Sequence, residues 1–217
     1  MALDDLSAPT GHRDDPAILL AVLDAIDSHH APSQRSIASD VGIALGMANA
    51  YVKRCVKKGY VKLSQAPANR YLYYLTPTGL AEKARLASEY LQQSLNLFRE
   101  ARGQYAALVE VCARNGWTRV ALAGGGDMAE IALLCTVSQP AIRVAGILGA
   151  VVETPTLAHL TPLTEADLAD RVDAVLVTSI TGSAELAARL ALTLPAERIL
   201  VPKLLMSLRF RSDPPKA

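Results

Sequence analysis

The sequence predicts an α/β chain of two parts joined by one long helix, and three patterns predict it. Residues 15–76 hold three segments of helical period followed by two strand-like runs. Residues 77–116 hold one sustained helical repeat, and from Trp117 onward strand-like and helix-like segments alternate. At 217 residues and 51% hydrophobic content the chain has ample material for buried cores.

Residues 1–14 are polar, with Pro9 and Gly11, and read as a loose arm. Pro16 suits a first helical turn, and Ile18, Leu19, Val22, Leu23 and Ile26 recur at helical spacing through Asp27. His29, His30 and Pro32 end that helix, the histidines serving as a cap that compensates its dipole. Ser33 is the N-cap of a short second helix with Ile37 and Val41 inward, and Gly42 supplies a positive φ at its end. A tight turn leads to a third helix over 45–58. Its buried side is marked by Ala48, Val52, Cys55 and Val56, while Gly46, Asn49, Ala50, Lys53, Arg54 and Lys57 recur on the opposite side.

Gly59 stops the third helix, and residues 60–63 and 71–75 read as strands around a polar loop at 64–70, which makes a wing-like hairpin. Thr76 then caps a helix that starts at Pro77 and runs towards Asn115. Along it Ala84, Ala87, Leu91, Ser94, Phe98, Ala101, Tyr105, Leu108 and Cys112 alternate at spacings of three and four. That seam fits self-association as a homodimer through residues 77–116, and it fits equally one amphipathic helix packed on its own domains. Beyond Trp117, strands are predicted at 119–123, 143–148, 174–178 and 198–201, with helices at 127–137, 165–171 and 183–194, so the sheet is parallel with right-handed crossovers. The domains are therefore an arm (1–14), a helical domain with a hairpin (15–76), a linking helix (77–116), a sheet domain (117–205) and a basic tail (206–217).

The formal charge of +1 is unevenly spread. No carboxylate stands between Asp40 and Glu82, where Lys53, Arg54, Lys57, Lys58, Lys62 and Arg70 do, while acids collect near the N-terminus and in the C-terminal half. Cations that neutralise phosphates release condensed counterions, so such a strip suits double-stranded DNA. Small residues come first on the third helix and cations later, which lets its start approach base edges and its end meet phosphates. Asn49 is the candidate for base readout, since its amide can pair bidentately with adenine. Cys55, Cys112 and Cys135 have neither disulfide nor zinc-ligand spacing and read as reduced core thiols. With no apolar signal segment and no run of about 18 apolar residues, the expectation is a soluble cytoplasmic protein with no membrane span.

The stretch Ser33-Gln-Arg-Ser-Ile-Ala-Ser-Asp-Val-Gly, then Leu45-Gly46, Lys57-Lys58-Gly59-Tyr60-Val61 and Tyr74-Leu75-Thr76-Pro77-Thr78-Gly79, resembles the winged helix-turn-helix of MarR-type transcriptional regulators. It is especially similar to the group associated with exopolysaccharide gene clusters, including Ala81-Glu82-Lys83-Ala84-Arg85, over roughly residues 16–100. The resemblance implies a third helix in the major groove, Arg70 on a wing near the minor groove, and a dimer reading two half-sites.

The C-terminal half has a second resemblance. Val120-Ala121-Leu122-Ala123-Gly124-Gly125-Gly126-Asp127-Met128-Ala129-Glu130, then Val144-Ala145-Gly146-Ile147 and Ile199-Leu200-Val201-Pro202, resembles Rossmann-like nucleotide or nucleotide-sugar domains. Gly124, Gly126 and Ala129 satisfy G-x-G-x-x-A after a strand and at the opening of a helix. The implied ligand site is Gly124, Gly125, Gly126, Asp127, Met128 and Ala129, with Thr178 and Ser179 at the end of a later strand, and the implied ligands are NAD(H) or a nucleotide sugar. Two departures stand. The second strand ends in Leu148-Gly149 where a carboxylate would hold ribose hydroxyls, Glu153 coming late, and Asp127 puts a negative charge in the phosphate loop. The other reading of the glycine run is a tight strand-to-helix turn with no ligand.

No Tyr-xxx-Lys pair and no Ser/His/Asp set can be assembled in the sheet domain, His159 reads as structural, and Asp167, Asp170 and Asp173 read as a solvated helix face and turn. The sequence therefore points to a DNA-binding regulator, not an enzyme, whose C-terminal domain senses a nucleotide-type metabolite. Its rivals are an NAD-dependent or nucleotide-sugar enzyme with an accessory helical domain, and a protein-interaction adaptor.

Overall fold

The computed structural model describes residues 15–28, 32–66, 70–149 and 154–207. The predicted arm, His29, His30, Glu153 and most of the predicted tail lie outside the described residues. Two compact units emerge, Met1–Ser94 and Leu95–Ala217, and the division falls inside the long helix.

In the first unit, α1 (Pro16–Ser28), α2 (Gln34–Val41) and α3 (Leu45–Lys57) enclose a core of Leu19, Val22, Leu23, Ile26, Ile37, Ala48, Tyr51, Val52 and Cys55. Ser33 caps α2 in a reciprocal pair with Ser36, and Gly42 ends it at φ 70°. On α3 the buried stripe is Ala48, Tyr51, Val52 and Cys55, and Val56, predicted inward, is 38% exposed. Val56 lies a further 100° around the helix from Cys55, so the place beside Val52 goes to Tyr51. The Tyr51 hydroxyl accepts the Asp15 N–H at 3.1 Å.

The hairpin is longer than the sequence predicts. Strand β1 (Val61–Ala66) pairs antiparallel with β2 (Arg70–Leu75) from Val61↔Leu75 to Ala66↔Arg70. The predicted loop of 64–70 thus shrinks, and Arg70 belongs to a strand rather than to the loop. Ser64 and Gln65 look loop-like by polarity, yet a two-stranded ribbon facing water on one side accepts polar residues in its ladder. Val61 and Tyr73 are the wing's buried anchors.

The Thr-Pro-Thr-Gly segment welds the wing to α4 (Pro77–Arg114). Thr76 Oγ1 accepts the Gly79 N–H at 3.0 Å and donates to the Gly59 carbonyl at 2.6 Å. Gly79 is obligatory for packing, because a Cβ there would lie 2.0 Å from the Tyr60 carbonyl oxygen. Lys83 meets Asp24 and Asp27 at 2.7 Å each and fixes the start of α4 on α1. Along α4 the predicted seam divides: Leu91, Ser94 and Phe98 are exposed, while Ala101, Tyr105 and Cys112 are buried in the second unit's core. The repeat therefore packs on the chain's own core along its later turns and is exposed along the earlier ones.

The second unit is a five-stranded parallel sheet in the order β5-β4-β3-β6-β7. Its strands are β3 (Arg119–Ala123), β4 (Arg143–Leu148), β5 (Pro162–Leu163), β6 (Ala174–Val177) and β7 (Ile199–Leu200). Strand β5 is absent from the sequence prediction because two residues show no period. Between the strands run α5 (Asp127–Val137), α6 (Leu168–Arg171) and α7 (Ser183–Leu190), and α8 (Lys203–Ser207) follows the last. The predicted tail thus begins with helical residues, Met206 and Ser207. One sheet face packs Val120 and Leu122 against Tyr105, Met128, Ala129, Leu204 and Leu205, and the other packs Ala121, Ala123 and Val175 against Leu168, Leu190 and Leu194. Tyr105 also donates its hydroxyl to the Val177 carbonyl at 2.8 Å. The order reverses direction between β3 and β6, the switch-point arrangement of doubly wound sheets, whose ligands bind beyond the carboxyl ends of the strands.

Candidate nucleic-acid interface and ligand cleft

The outer side of α3 carries most of the residues predicted to meet DNA. Gly46, Ala50, Lys53 and Lys57 are exposed, and Asn49 and Arg54 are half-buried. No acid stands in the helix's first turn, and Arg54 and Lys57 lie in its last. The Arg54 guanidinium stacks 5.0 Å from the Tyr51 ring centroid, and the Lys58 ammonium sits 5.9 Å from the Tyr60 ring. Stacking of this kind orders a long side chain before it meets a partner. Tyr51 is thus a bracing residue that helical periodicity alone did not single out, although its i,i+3 spacing from Arg54 is the signal for it.

Three details modify the predicted surface. The strip is free of acid in sequence but not in space, since Glu82 on α4 comes within electrostatic range of Lys58. Arg85 first, against burial, and then Lys58 and Tyr60 hold the Glu82 carboxyl below its usual range. Asn49 has its Oδ1 buried with no hydrogen-bond partner, so bidentate readout of adenine requires the amide to turn outward. Arg70 occupies β2 opposite Ala66, and β1 adds Lys62, exposed and paired across the ribbon with exposed Tyr74.

Residues 17–62 match the family model of winged helix-turn-helix DNA-binding domains. Among solved structures, the chain is similar to the PcaV transcriptional regulator of Streptomyces coelicolor in complex with its natural ligand, at 24% identity over 37% of this chain and 59% of that one, with a TM-score of 0.35. It is similar to Bordetella bronchiseptica BpsR, whose DNA binding is regulated by 6-hydroxynicotinic acid, at 24% identity, 36% and 62% coverage and a TM-score of 0.32. Sso10a-2, a DNA-binding protein from Sulfolobus solfataricus, is similar at 20% identity, 40% and 87% coverage and a TM-score of 0.35. The chain spans less than two thirds of the length of both regulators. No curated protein matches it.

In the second unit the glycine motif lies where the sequence places it, between β3 and α5, with Gly126 at the helix start with φ 78°. Half of its six residues, Gly124, Met128 and Ala129, are buried. Gly124 has φ 112°, and a Cβ there would lie 2.5 Å from the Ser179 backbone nitrogen. Thr178 is fully buried and donates its hydroxyl to the Gly124 carbonyl at 2.7 Å, while Met128 and Ala129 are core residues. Asp127 is exposed in the first turn of α5, which also contains Glu130.

A cavity of about 500 Å³ opens beside this motif at the carboxyl ends of β3, β4, β5 and β6. Gly124 and Ser179 of the predicted ligand residues line it, together with Gly149, Glu165, Glu185 and Arg189. The last three were not singled out in the sequence. Glu165 follows a strand too short to be periodic, whereas the i,i+4 spacing of Glu185 and Arg189 was readable.

The acids read as solvated prove structural in two cases. Asp167 caps the turn before α6 through Thr164, and Asp173 accepts the Thr118 and Arg119 backbone N–H groups at 3.0 and 2.8 Å and the Arg119 guanidinium at 2.8 Å. Arg119 first, then these backbone donors, hold the Asp173 carboxyl below its usual range. Burial pushes the Cys55 and Cys112 thiols up to about 11 and raises that of Cys135, which leaves all three protonated near neutrality. Among the described residues no helix is long and apolar enough to cross a membrane.

Proposed function

We propose that the chain is a DNA-binding transcriptional regulator of the MarR type, acting in the cytoplasm, whose C-terminal unit senses a nucleotide-type metabolite such as NAD(H) or a nucleotide sugar. The observation that carries the DNA reading is the outer face of α3, where small Gly46 and Ala50 precede exposed Lys53 and Lys57 and the braced Arg54. That order suits a helix whose start nears base edges while its end meets phosphates. The family match over residues 17–62 supports the same reading.

The sensing half rests on a cavity beyond the carboxyl ends of parallel strands next to a glycine-rich turn. Binding without turnover is the proposed role of this unit. A homodimer formed by the exposed turns of α4 would set the spacing of two α3 helices on a pair of half-sites. A ligand that favours one spacing then changes operator affinity, with a coupling of about 1–3 kcal/mol typical for such systems.

The test is fluorescence anisotropy with duplex DNA selected from a random library, at two salt concentrations. Wild type binds with a steep salt dependence, and Lys53→Ala lowers the slope of log K against log salt by about one. Binding that ignores salt, or is unchanged in Lys53→Ala and Lys57→Ala alike, defeats the proposal.

A further inference from the structure

Folding brings a carboxylate to the cationic end of α3. Gly79 of α4 abuts the Tyr60 carbonyl so closely that a Cβ would lie 2.0 Å from the oxygen. Glu82 follows three residues later and shares that face of the helix one turn on. Tyr60 in turn carries the Lys58 ammonium 5.9 Å from its ring centroid, and Lys58 is the residue that closes α3.

The charges at the start of α4 do not balance. Arg85 grips Glu82 with Nε and Nη2 at 2.8 Å each and also pairs with Glu89. Lys83 is shared by Asp24 and Asp27 at 2.7 Å each. Lys83 and Arg85 thus serve four carboxylates, and the surplus negative charge draws Lys58, which helps Arg85 hold the Glu82 carboxyl low. Lys53 and Lys57, exposed on the outer side of the same helix, form no ion pair among the described residues. An ammonium held by a carboxylate must give up that partner to meet a phosphate, and it adds less to counterion release when it does.

We propose that Glu82 competes with the phosphate backbone for Lys58, as a built-in counter-charge that restrains the sequence-independent part of the affinity for DNA. This rests on the DNA-binding reading and adds a residue that holds the affinity down.

The experiment is anisotropy of the full-length protein on the selected duplex over a salt series, for wild type, Glu82→Gln, Lys58→Ala and the double variant. Glu82→Gln binds about three- to tenfold tighter at low salt, and its slope of log K against log salt steepens by up to about one. Lys58→Ala weakens wild type by about twofold or less and Glu82→Gln by about threefold or more, because only in the latter does the ammonium meet phosphate unopposed. Plain repulsion between Glu82 and DNA would also tighten binding of the Gln variant, but that gain would survive in the Lys58→Ala background. Thermal melting checks the fold of each variant, and Lys58→Ala alone reads the competition without a change at Glu82. Unchanged or weaker binding by Glu82→Gln, a gain that persists in full without Lys58, or loss of about a full unit of slope from Lys58→Ala in wild type overturns this inference while the DNA reading stands. If wild type shows no salt-dependent binding to any duplex, both fall.

Discussion

The two units keep their candidate sites in opposite ways. In the first, the residues that would meet a partner stand on the outer side of α3, exposed at Gly46, Ala50, Lys53 and Lys57 and half-buried at Asn49 and at Arg54, which stacks on the core residue Tyr51. In the second, half of the glycine motif is absorbed by the fold, with Thr178 tied to Gly124, Ser179 pressed on Gly124, and Met128 and Ala129 in the core. A cationic pattern survives folding because burying unpaired charge is costly, so it remains on the surface to be read. A glycine pattern is ambiguous, because the same absence of a Cβ serves a ligand or a neighbouring chain segment.

Substituting Gly124 gives the strongest test of that contrast. Gly124→Ala combines a left-handed φ of 112° with a Cβ 2.5 Å from the Ser179 nitrogen, for a cost of about 2–5 kcal/mol to the second unit. Trp117, the single tryptophan, packs against that unit's core and reports its urea unfolding by fluorescence. Gly126→Ala, in open space at φ 78°, costs about 1–3 kcal/mol from backbone strain alone. A Gly124→Ala protein with an unchanged midpoint and lost ligand binding would return the glycine to a ligand role.

Next in size is the divided helix. Leu91 and Phe98 are 58% and 40% exposed on the turns of α4 on either side of the division. Leu91→Ser with Phe98→Ser is expected to weaken self-association by about 2 kcal/mol or more, read by sedimentation, with unfolding of either unit shifted by no more than about 0.5 kcal/mol. If the double variant destabilises the fold while association is unchanged, these turns are not the dimer contact.

Acid acts on the second unit more gently. The depressed Asp173 carboxyl contributes stability that is fully present above its unfolded pKa and is lost as pH falls through the lower folded value. The second unit should therefore weaken below about pH 4, and Asp173→Asn should reduce that dependence to the part that Asp167, also held low by Thr164, contributes. With Arg119 half exposed to screening solvent, the effect is about 1 kcal/mol. Equal acid slopes in wild type and Asp173→Asn, followed by Trp117, would show that the clamp contributes nothing.

The elements of the first unit were legible nearly residue by residue, since Ser33, Gly42, Thr76 and Pro77 mark helix ends by local chemistry. Its errors came where polarity stood in for geometry, at Ser64 and Gln65 in the ladder and at Val56 on the helix. In the second unit the alternation of strands and helices was readable, but the two-residue β5 was not, and with it went Glu165 at the cavity wall. Sequence also could not show that α4 serves one core with Ala101, Tyr105 and Cys112 while leaving Leu91 and Phe98 outside, because the repeat is continuous through both.

The smallest expected effect decides whether the first unit's surface carries charge alone or also a code. Asn49 Oδ1 is withdrawn from solvent and has no partner, so the side chain forgoes a hydrogen bond that water would supply. Alanine removes that deficit and has the better helix propensity, and Asn49→Ala should leave the first unit unchanged or more stable by up to about 1 kcal/mol. If the amide turns outward to pair with adenine, the same change relaxes the preference at one base pair by about 1–3 kcal/mol while the salt slope stays fixed. Comparing selected DNA sequences for wild type and Asn49→Ala reads that term directly. Identical sequence preferences would mean that α3 meets the duplex at this position through shape and charge, and that whatever discriminates bases lies elsewhere on the surface.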